Sequence, residues 1–301
     1  MKLNVVAPLA FTVSLVVLAG CSSAADEGSQ SASSGKPSVP VSVKVDDSVA
    51  SQVPDDFAKG VNVAVYSDWA PEEYVEGNQF KGWSVEMAEL MSQKMGVGFS
   101  YDPSGFDAII PGLENNRYDI AVASLGVTDE RLKSLDFVPL QKEGTAFAWK
   151  KGNSSAAVDA LDEVCGRSVA VLTGAWEYDY LTSHNKEVCG DKPMDIQQFK
   201  DQPSAELAVS SGRVELVAAG SGKLGYAAKQ SGALEVGDFI VDPVYNGIGV
   251  PKGSELGPVL RDALQSLIDD GTYAKIRANW AASEVGNLDR AVLITEEHPK
   301  G

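Results

Sequence analysis

Arg131 is the residue whose placement most demands a chemical partner. It closes the stretch Ser124-Leu125-Gly126-Val127-Thr128-Asp129-Glu130-Arg131, which follows the apolar run 118–123. The run reads as a buried strand, Gly126 as a turn and Thr128-Asp129-Glu130 as the opening of a helix. The positive end of a helix dipole favours Asp and Glu and mildly disfavours a cation. Arg131 is therefore either a solvated charge or a group that faces an anion. Its planar guanidinium suits a carboxylate, to which it can make two parallel hydrogen bonds. A similar turn, Gly174-Ala175-Trp176, follows the apolar run that begins at Ser168, and backbone N–H groups at such a helix start also suit an anion. Other chemistry is sparse. The histidines are His184 and His298, and the cysteines are Cys21, Cys165 and Cys189. Their spacing fits no zinc site, and neither a catalytic cysteine nor a nucleophile elbow stands out.

The elements that must hold these residues alternate. Residues 61–66, 97–101 and 118–124 read as strands, and 84–96 and 106–116 as helices, the latter bent by Pro111 and Gly112. Extended stretches follow at 136–140 and 144–152, with Trp149-Lys150-Lys151-Gly152 marking a crossover. The alternation then restarts with strands at 168–174 and 214–220 and helices from Trp176, at 205–212 and at 221–232. A stretch at 245–253 reads as a second crossover strand. Leu256, Val259, Leu260, Ala263, Leu264, Leu267 and Ile268 follow the helical period, with Ser254 as cap and Gly271 as stop; Thr272 opens a final helix. Alternating strands and helices imply βαβ units around a mostly parallel sheet in an α/β protein.

The formal net charge of -17 comes without a basic face, which sets nucleic-acid binding aside. Residues 1–20 have the positive, apolar and small-residue layout of a signal peptide. Leu18-Ala19-Gly20-Cys21 resembles the bacterial lipobox, which implies lipidation of Cys21 and attachment to the outer face of the cell membrane. Residues 21–54, rich in Ser, Ala, Gly and Asp, read as a flexible tether. About 30 such residues spread over roughly 30 Å. Cys165 and Cys189 form an even pair in an oxidising compartment and suggest a disulfide, worth about 3 kcal/mol in the chain-entropy account; two free buried thiols are the alternative.

Several stretches together resemble the bacterial extracellular solute-binding proteins of polar amino-acid ABC transporters, family 3. They are "WAPEEY" with "FKGWSVEMAELMSQKMG", "FDAIIPGLENNRYDIAVASLGVTDERLKSLDF", "CGRSVAVLTGAWEYDYL", "GRVELVAAGSGKLGYAAKQ" and "GIGVPKGSELGPVLRDALQSLIDDGTYAKIRANW". The resemblance implies the two-lobed type II periplasmic-binding-protein fold, with two chain crossovers and a ligand cleft between lobes. Residues 55–148 plus 246–290 would form lobe 1, residues 149–245 lobe 2, and 291–301 a C-terminal tail.

The resemblance also implies a site. Arg131 would clamp the carboxylate of the ligand, with Ser124, Leu125, Gly126 and Thr128 beside it and the turn Gly174-Ala175-Trp176 adding donors from the other lobe. Trp69 would stack over the ligand and Phe106 would form a wall. Trp176 would cover the ligand or simply pack. Glu72 stands where the family usually has an apolar residue, and would receive a cationic group or be a surface charge. The largest departure is Gly220, which falls where the family's Asp pairs with the ligand ammonium. Glycine offers no counter-charge, and Glu215 lies too far along the strand. Either the ligand lacks a plain ammonium, or another acid such as Glu72 or Glu177 serves it.

The expected function is a lipid-anchored, monomeric receptor that delivers a carboxylate-bearing solute, an amino acid or a derivative, to an ABC permease. It calls for no cofactor, metal or catalysis. The alternatives are a cyclohexadienyl-dehydratase-like enzyme on the same fold and a sensory module for a membrane kinase.

Overall fold

The computed structural model describes residues 41–280, 282, 286–299 and 301. The expected signal peptide, Cys21 and the tether up to residue 40 lie outside the described residues. In chain order the elements are α1 (Asp47–Ala50), β1 (Val61–Tyr66), β2 (Asp68–Trp69), β3 (Glu73–Glu76), β4 (Gln79–Lys81), α2 (Trp83–Met95), β5 (Phe99–Ser104), α3 (Phe106–Glu114) and β6 (Ile120–Gly126). There follow β7 (Leu135–Lys150), β8 (Ser168–Leu172), α4 (Trp176–Cys189), β9 (Asp195–Phe199), α5 (Gln202–Ser210), β10 (Leu216–Gly220), α6 (Ser221–Ser231), β11 (Leu234–Pro251), α7 (Leu256–Asp269) and α8 (Thr272–Asn279).

Eight strands form one mixed sheet in the order β5-β1-β6-β11-β7-β10-β8-β9, and β2-β3-β4 form a small second sheet. At one end β5, β1 and β6 are parallel; at the other β10, β8 and β9 are parallel. The βα alternation predicts five of these strands and misses β9; each set belongs to one lobe. Between them run the two crossovers, β7 and β11, paired antiparallel from Leu135 opposite Pro251 to Lys150 opposite Leu234. The sequence reading broke β7 at Gln141-Lys142-Glu143 because those polar residues interrupt an apolar run. They sit instead inside one strand of 16 residues that is mostly buried, so the crossover is the strand itself and not the Trp149–Gly152 segment at its end. The register with β11 shifts at three places, and such bulges bend and twist a strand pair.

Packing fixes the lobes. Along α7, Leu256, Val259, Leu260, Ala263, Leu264 and Leu267 are each at most 2% exposed, and burying a Leu or Val side chain contributes roughly 1.5–3 kcal/mol. This stripe meets α2 and the β1-β5-β6 face in one core. A second core gathers around β8, β10 and Leu181 of α4. A third joins Tyr66, Phe106 and Ala123 from one lobe to Leu172, Ala175 and Ala205 from the other. The Gln202 N–H also donates to the Tyr66 hydroxyl at 3.2 Å, so the lobes are in contact.

Both chain ends pack on the folded body, which changes the reading of the tether. The end of the proposed tether is not free chain. Asp46 caps α1 and also accepts from Ser266 Oγ of α7 at 2.7 Å, Val43 N–H bonds Gln93 of α2 at 3.0 Å, and Val49 is 3% exposed. In the C-terminal tail, Ile294 is fully buried and bridges Phe137 of β7 through two backbone hydrogen bonds of 2.9 and 2.8 Å. Cys165 and Cys189 form the expected disulfide, Cα to Cα 5.2 Å. Among the described residues no helix is long and apolar enough to cross a membrane, and no cluster of His, Cys, Asp and Glu could hold a metal ion.

Candidate functional site

Arg131 does not sit in the first turn of an α-helix. After β6 the chain makes only a 3-10 turn, Arg131–Lys133, and Thr128 Oγ accepts the Arg131 N–H at 3.2 Å. So short a turn has no appreciable dipole to oppose the cation. The side chain is 7% exposed and its hydrogen bonds span the two lobes. Nη1 donates to Gly126 O at 2.6 Å, from its own lobe, and Nη2 donates to Gly174 O at 2.9 Å, from the other. The guanidinium carbon lies 5.9 Å from the centre of the Phe106 ring. Burial lowers its pKa, while Glu177 and Asp179 oppose that shift.

Seven expected residues line one narrow cavity with it: Trp69, Phe106, Ser124, Gly126, Ala175, Trp176 and Gly220. Its free volume of 20 Å³ is about that of a single water position. Trp69 and Phe106 are braced by Tyr66, whose ring centre is 6.4 Å from the first and 5.4 Å from the second. The buried Trp69 Nε1 has no hydrogen-bond partner. Ser124, held at φ 43°, donates its hydroxyl to Glu73 Oε2 at 2.9 Å. Glu73 also receives Ser84 Oγ at 2.6 Å, and burial pushes its carboxyl up to about 8. Trp176 closes the cavity across the lobes: its Cδ1 lies 3.0 Å from where a Cβ on Gly126 would stand, so a larger residue there would push the indole back by a few tenths of an ångström. Its other face meets Tyr180 edge-on at 5.4 Å.

The remaining expected residues stand elsewhere. Leu125 is fully buried in the core and Gly174 contributes its carbonyl to Arg131; neither lines the cavity. Glu72 is not a surface charge. It is 2% exposed, lines an adjoining chamber of 830 Å³, and burial with Glu143 and Glu73 nearby holds its carboxyl well above the usual range. At the second-lobe turn, the Ala175 N–H is bonded to Leu172 O at 3.1 Å, so it is not the expected free donor. Glu177, on the first turn of α4, lines the same cavity and interacts electrostatically with Arg131. Burial raises its carboxyl to about 7, against its own backbone N–H and the Arg131 charge.

The sequence profile of the bacterial extracellular solute-binding proteins, family 3, matches residues 61–283. The chain belongs to that family. Among similar members, an arginine-binding protein of Corynebacterium glutamicum is 30% identical over 233 residues, 75% of each chain. An ancestral arginine-binding protein bound to arginine superposes with a TM-score of 0.67 at 27% identity, covering 73% of this chain and 97% of that one. An ancestral amino-acid-binding protein described as a precursor of cyclohexadienyl dehydratase superposes with a TM-score of 0.65 at 26% identity, covering 73% and 95%.

In this solute-binding protein the cavity also has four walls that the sequence reading did not assign to it: Glu143, Gly144, Glu177 and Asn246. Glu177 is one of the two acids expected to stand in for the missing Asp. Glu143 and Asn246 lie on β7 and β11, the crossovers, so both come from the strands that join the lobes. The available signal was Glu143 itself, a lone acid directly before Gly144 and the apolar stretch that follows. Its Oε1 accepts the Gly222 N–H at 2.5 Å and Ser221 Oγ at 3.3 Å, and Oε2 accepts Gln141 Nε2 at 3.2 Å. Burial raises its carboxyl, and the Gly222 N–H and the Ser221 hydroxyl, with Arg277 and Asn246, oppose the rise. Beside Glu72, whose Oε2 has no partner, Glu143 is the better supported of the two as an anion.

Proposed function

We propose that this protein is a lipid-anchored extracytoplasmic receptor that captures an amino acid, or a derivative with a free carboxylate, between its lobes and presents it to an ABC permease. The observation that carries the reading is Arg131, a buried guanidinium with two hydrogen bonds reaching opposite lobes. An incoming carboxylate would replace two neutral carbonyl acceptors with a bidentate ion pair, adding opposite charge to the two hydrogen bonds. A solute larger than water does not fit the closed cavity, so β7 and β11 must flex to admit it, a hinge motion of the kind seen when two-domain proteins close around ligands. The lobes would divide as 55–148 plus 246–290 and 149–245. Trp69 and Phe106 would cover the aliphatic part of the solute. The arginine-binding relatives support the amino-acid class.

The direct test is calorimetry on the purified protein with the proteinogenic L-amino acids, ornithine and cystine, alongside Arg131→Met. Saturable binding that the variant loses is expected; no binding by any of them would sink the reading. The anchor rests on Cys21, and Cys21→Ser should move the protein from the membrane fraction to the medium. The enzymatic alternative would need a general acid, and Glu177, at about 7, is the cavity group suited to it. Turnover of prephenate or arogenate, lost in Glu177→Gln, would decide for that reading.

A further inference from the structure

Gly220 ends β10 and caps α6 at φ -49°, ψ 138°, a conformation open to any L-residue. Backbone strain therefore does not require glycine there. What requires it is space. A Cβ on Gly220 would stand 2.7 Å from Glu143 Oε2, and one on Gly222 would stand 2.8 Å from Glu143 Oε1. The carboxylate of Glu143 thus fills the volume into which a side chain at 220 would grow. It reaches there from β7, a different part of the chain, and the first residues of α6 hold it through the Gly222 N–H and the Ser221 hydroxyl. Glu143 and Arg131 line the same cavity from different elements, β7 and the turn after β6, with Glu177 as its other acid.

The other acids are placed less well. Glu72 lines the adjoining chamber and not the Arg131 cavity. Glu73 is held by two serine hydroxyls. Glu177 lines the cavity too, but its electrostatic partner is Arg131, and its side-chain hydrogen bond comes from Thr145. Glu215, at the far end of β10, accepts from Ser168 N–H at 3.3 Å.

We propose that Glu143 receives the ammonium group of the captured amino acid, supplying from a crossover strand the counter-charge that residue 220 does not carry. The proposal rests on the function proposed above and narrows it: the solute is a zwitterion with a free ammonium, bound by Arg131 at one end and Glu143 at the other. Gly220 is then the partner change that makes room, and does not mark a ligand without an ammonium.

The test is a charge transplant. Amino acids that bind the wild-type protein are compared by calorimetry with their N-α-acetyl derivatives, which keep the carboxylate and lose the ammonium. Glu143→Gln, which keeps the shape, should weaken the free amino acid about 10- to 100-fold, the worth of a charged hydrogen bond, and should shrink the preference over the acetyl derivative. Gly220→Asp alone should block binding, because its side chain meets the Glu143 carboxylate. Glu143→Ala combined with Gly220→Asp should recover both affinity and preference, and this rescue answers the question even where a single variant folds poorly. Wild-type affinity in Glu143→Gln, or an equal loss for the free and acetylated forms, would overturn the assignment. Binding lost in Arg131→Met but intact in Glu143→Gln would keep the receptor reading and discard this one. No binding by any amino acid would discard both.

Discussion

At the scale of single residues, Arg131 and the buried acids define what the cleft can hold. Lysine in place of Arg131 keeps the charge but not the fork that spans two carbonyls. Arg131→Lys is expected to weaken amino-acid binding by at least about tenfold, read by calorimetry; unchanged affinity would remove the bidentate clamp from the account. Glu177, at about 7, and Glu73, at about 8, are both raised by burial above their value in an unfolded chain. The folded state therefore holds their protons more tightly than the unfolded one. The stability this gives is complete below about pH 4.5 and is lost as pH rises through about 7 to 8. The melting temperature of the protein without added solute should fall from pH 5 to pH 8, and Glu177→Gln and Glu73→Gln should each flatten that slope; an unaltered slope in both would contradict the burial argument. Arg131 stands out in the sequence by its type and place, while Trp69 and Phe106 enter only through the family resemblance; all three line the cavity. Glu143 was not legible, because its role depends on a contact between residues 77 positions apart in the sequence, Glu143 and Gly220, and no local pattern encodes that meeting.

Secondary-structure elements were legible where one period rules. The α7 stripe, the strand β1 and the glycine stop of α2 at Gly96 follow from apolar spacing and capping alone. β7 was misread because Gln141, Lys142 and Glu143 look like a loop, yet they lie in a strand that serves both lobes and one of them points at the cleft. The end of the tether was misread for a related reason: α1 is only four residues, and its stability comes from docking on α2 and α7, which composition does not reveal. Ile294 gives this level its test. Ile294→Ala removes a fully buried side chain from the bridge to Phe137 and should cost about 2–5 kcal/mol, which for a chain of this size lowers the melting temperature by roughly 5–15 °C. A change within experimental error would mean that the C-terminal segment does not hold β7. Cys165→Ser with Cys189→Ser should lower it as well, since the bond between the start of the second lobe and the end of α4 closes a loop worth about 3 kcal/mol.

For the whole molecule, the fold was readable because the βα alternation breaks, restarts and returns, which only a chain crossing twice between lobes explains economically. The closed geometry was not readable: it depends on Trp176 meeting Gly126 and on Arg131 meeting Gly174, both contacts between lobes. These contacts make the closed cleft a packed interface, and a solute must replace part of it. The central claim is that a carboxylate at Arg131 does so. The measurement that meets it most directly is thermal denaturation of the protein with each L-amino acid and with the corresponding carboxamide. A ligand at 100 times its dissociation constant adds about 2.7 kcal/mol, or roughly 5–10 °C for a chain of this size. The account predicts that rise for at least one amino acid, its absence for the carboxamide, and its absence for both in Arg131→Met. An equal rise with acid and amide, or one that survives Arg131→Met, would contradict it.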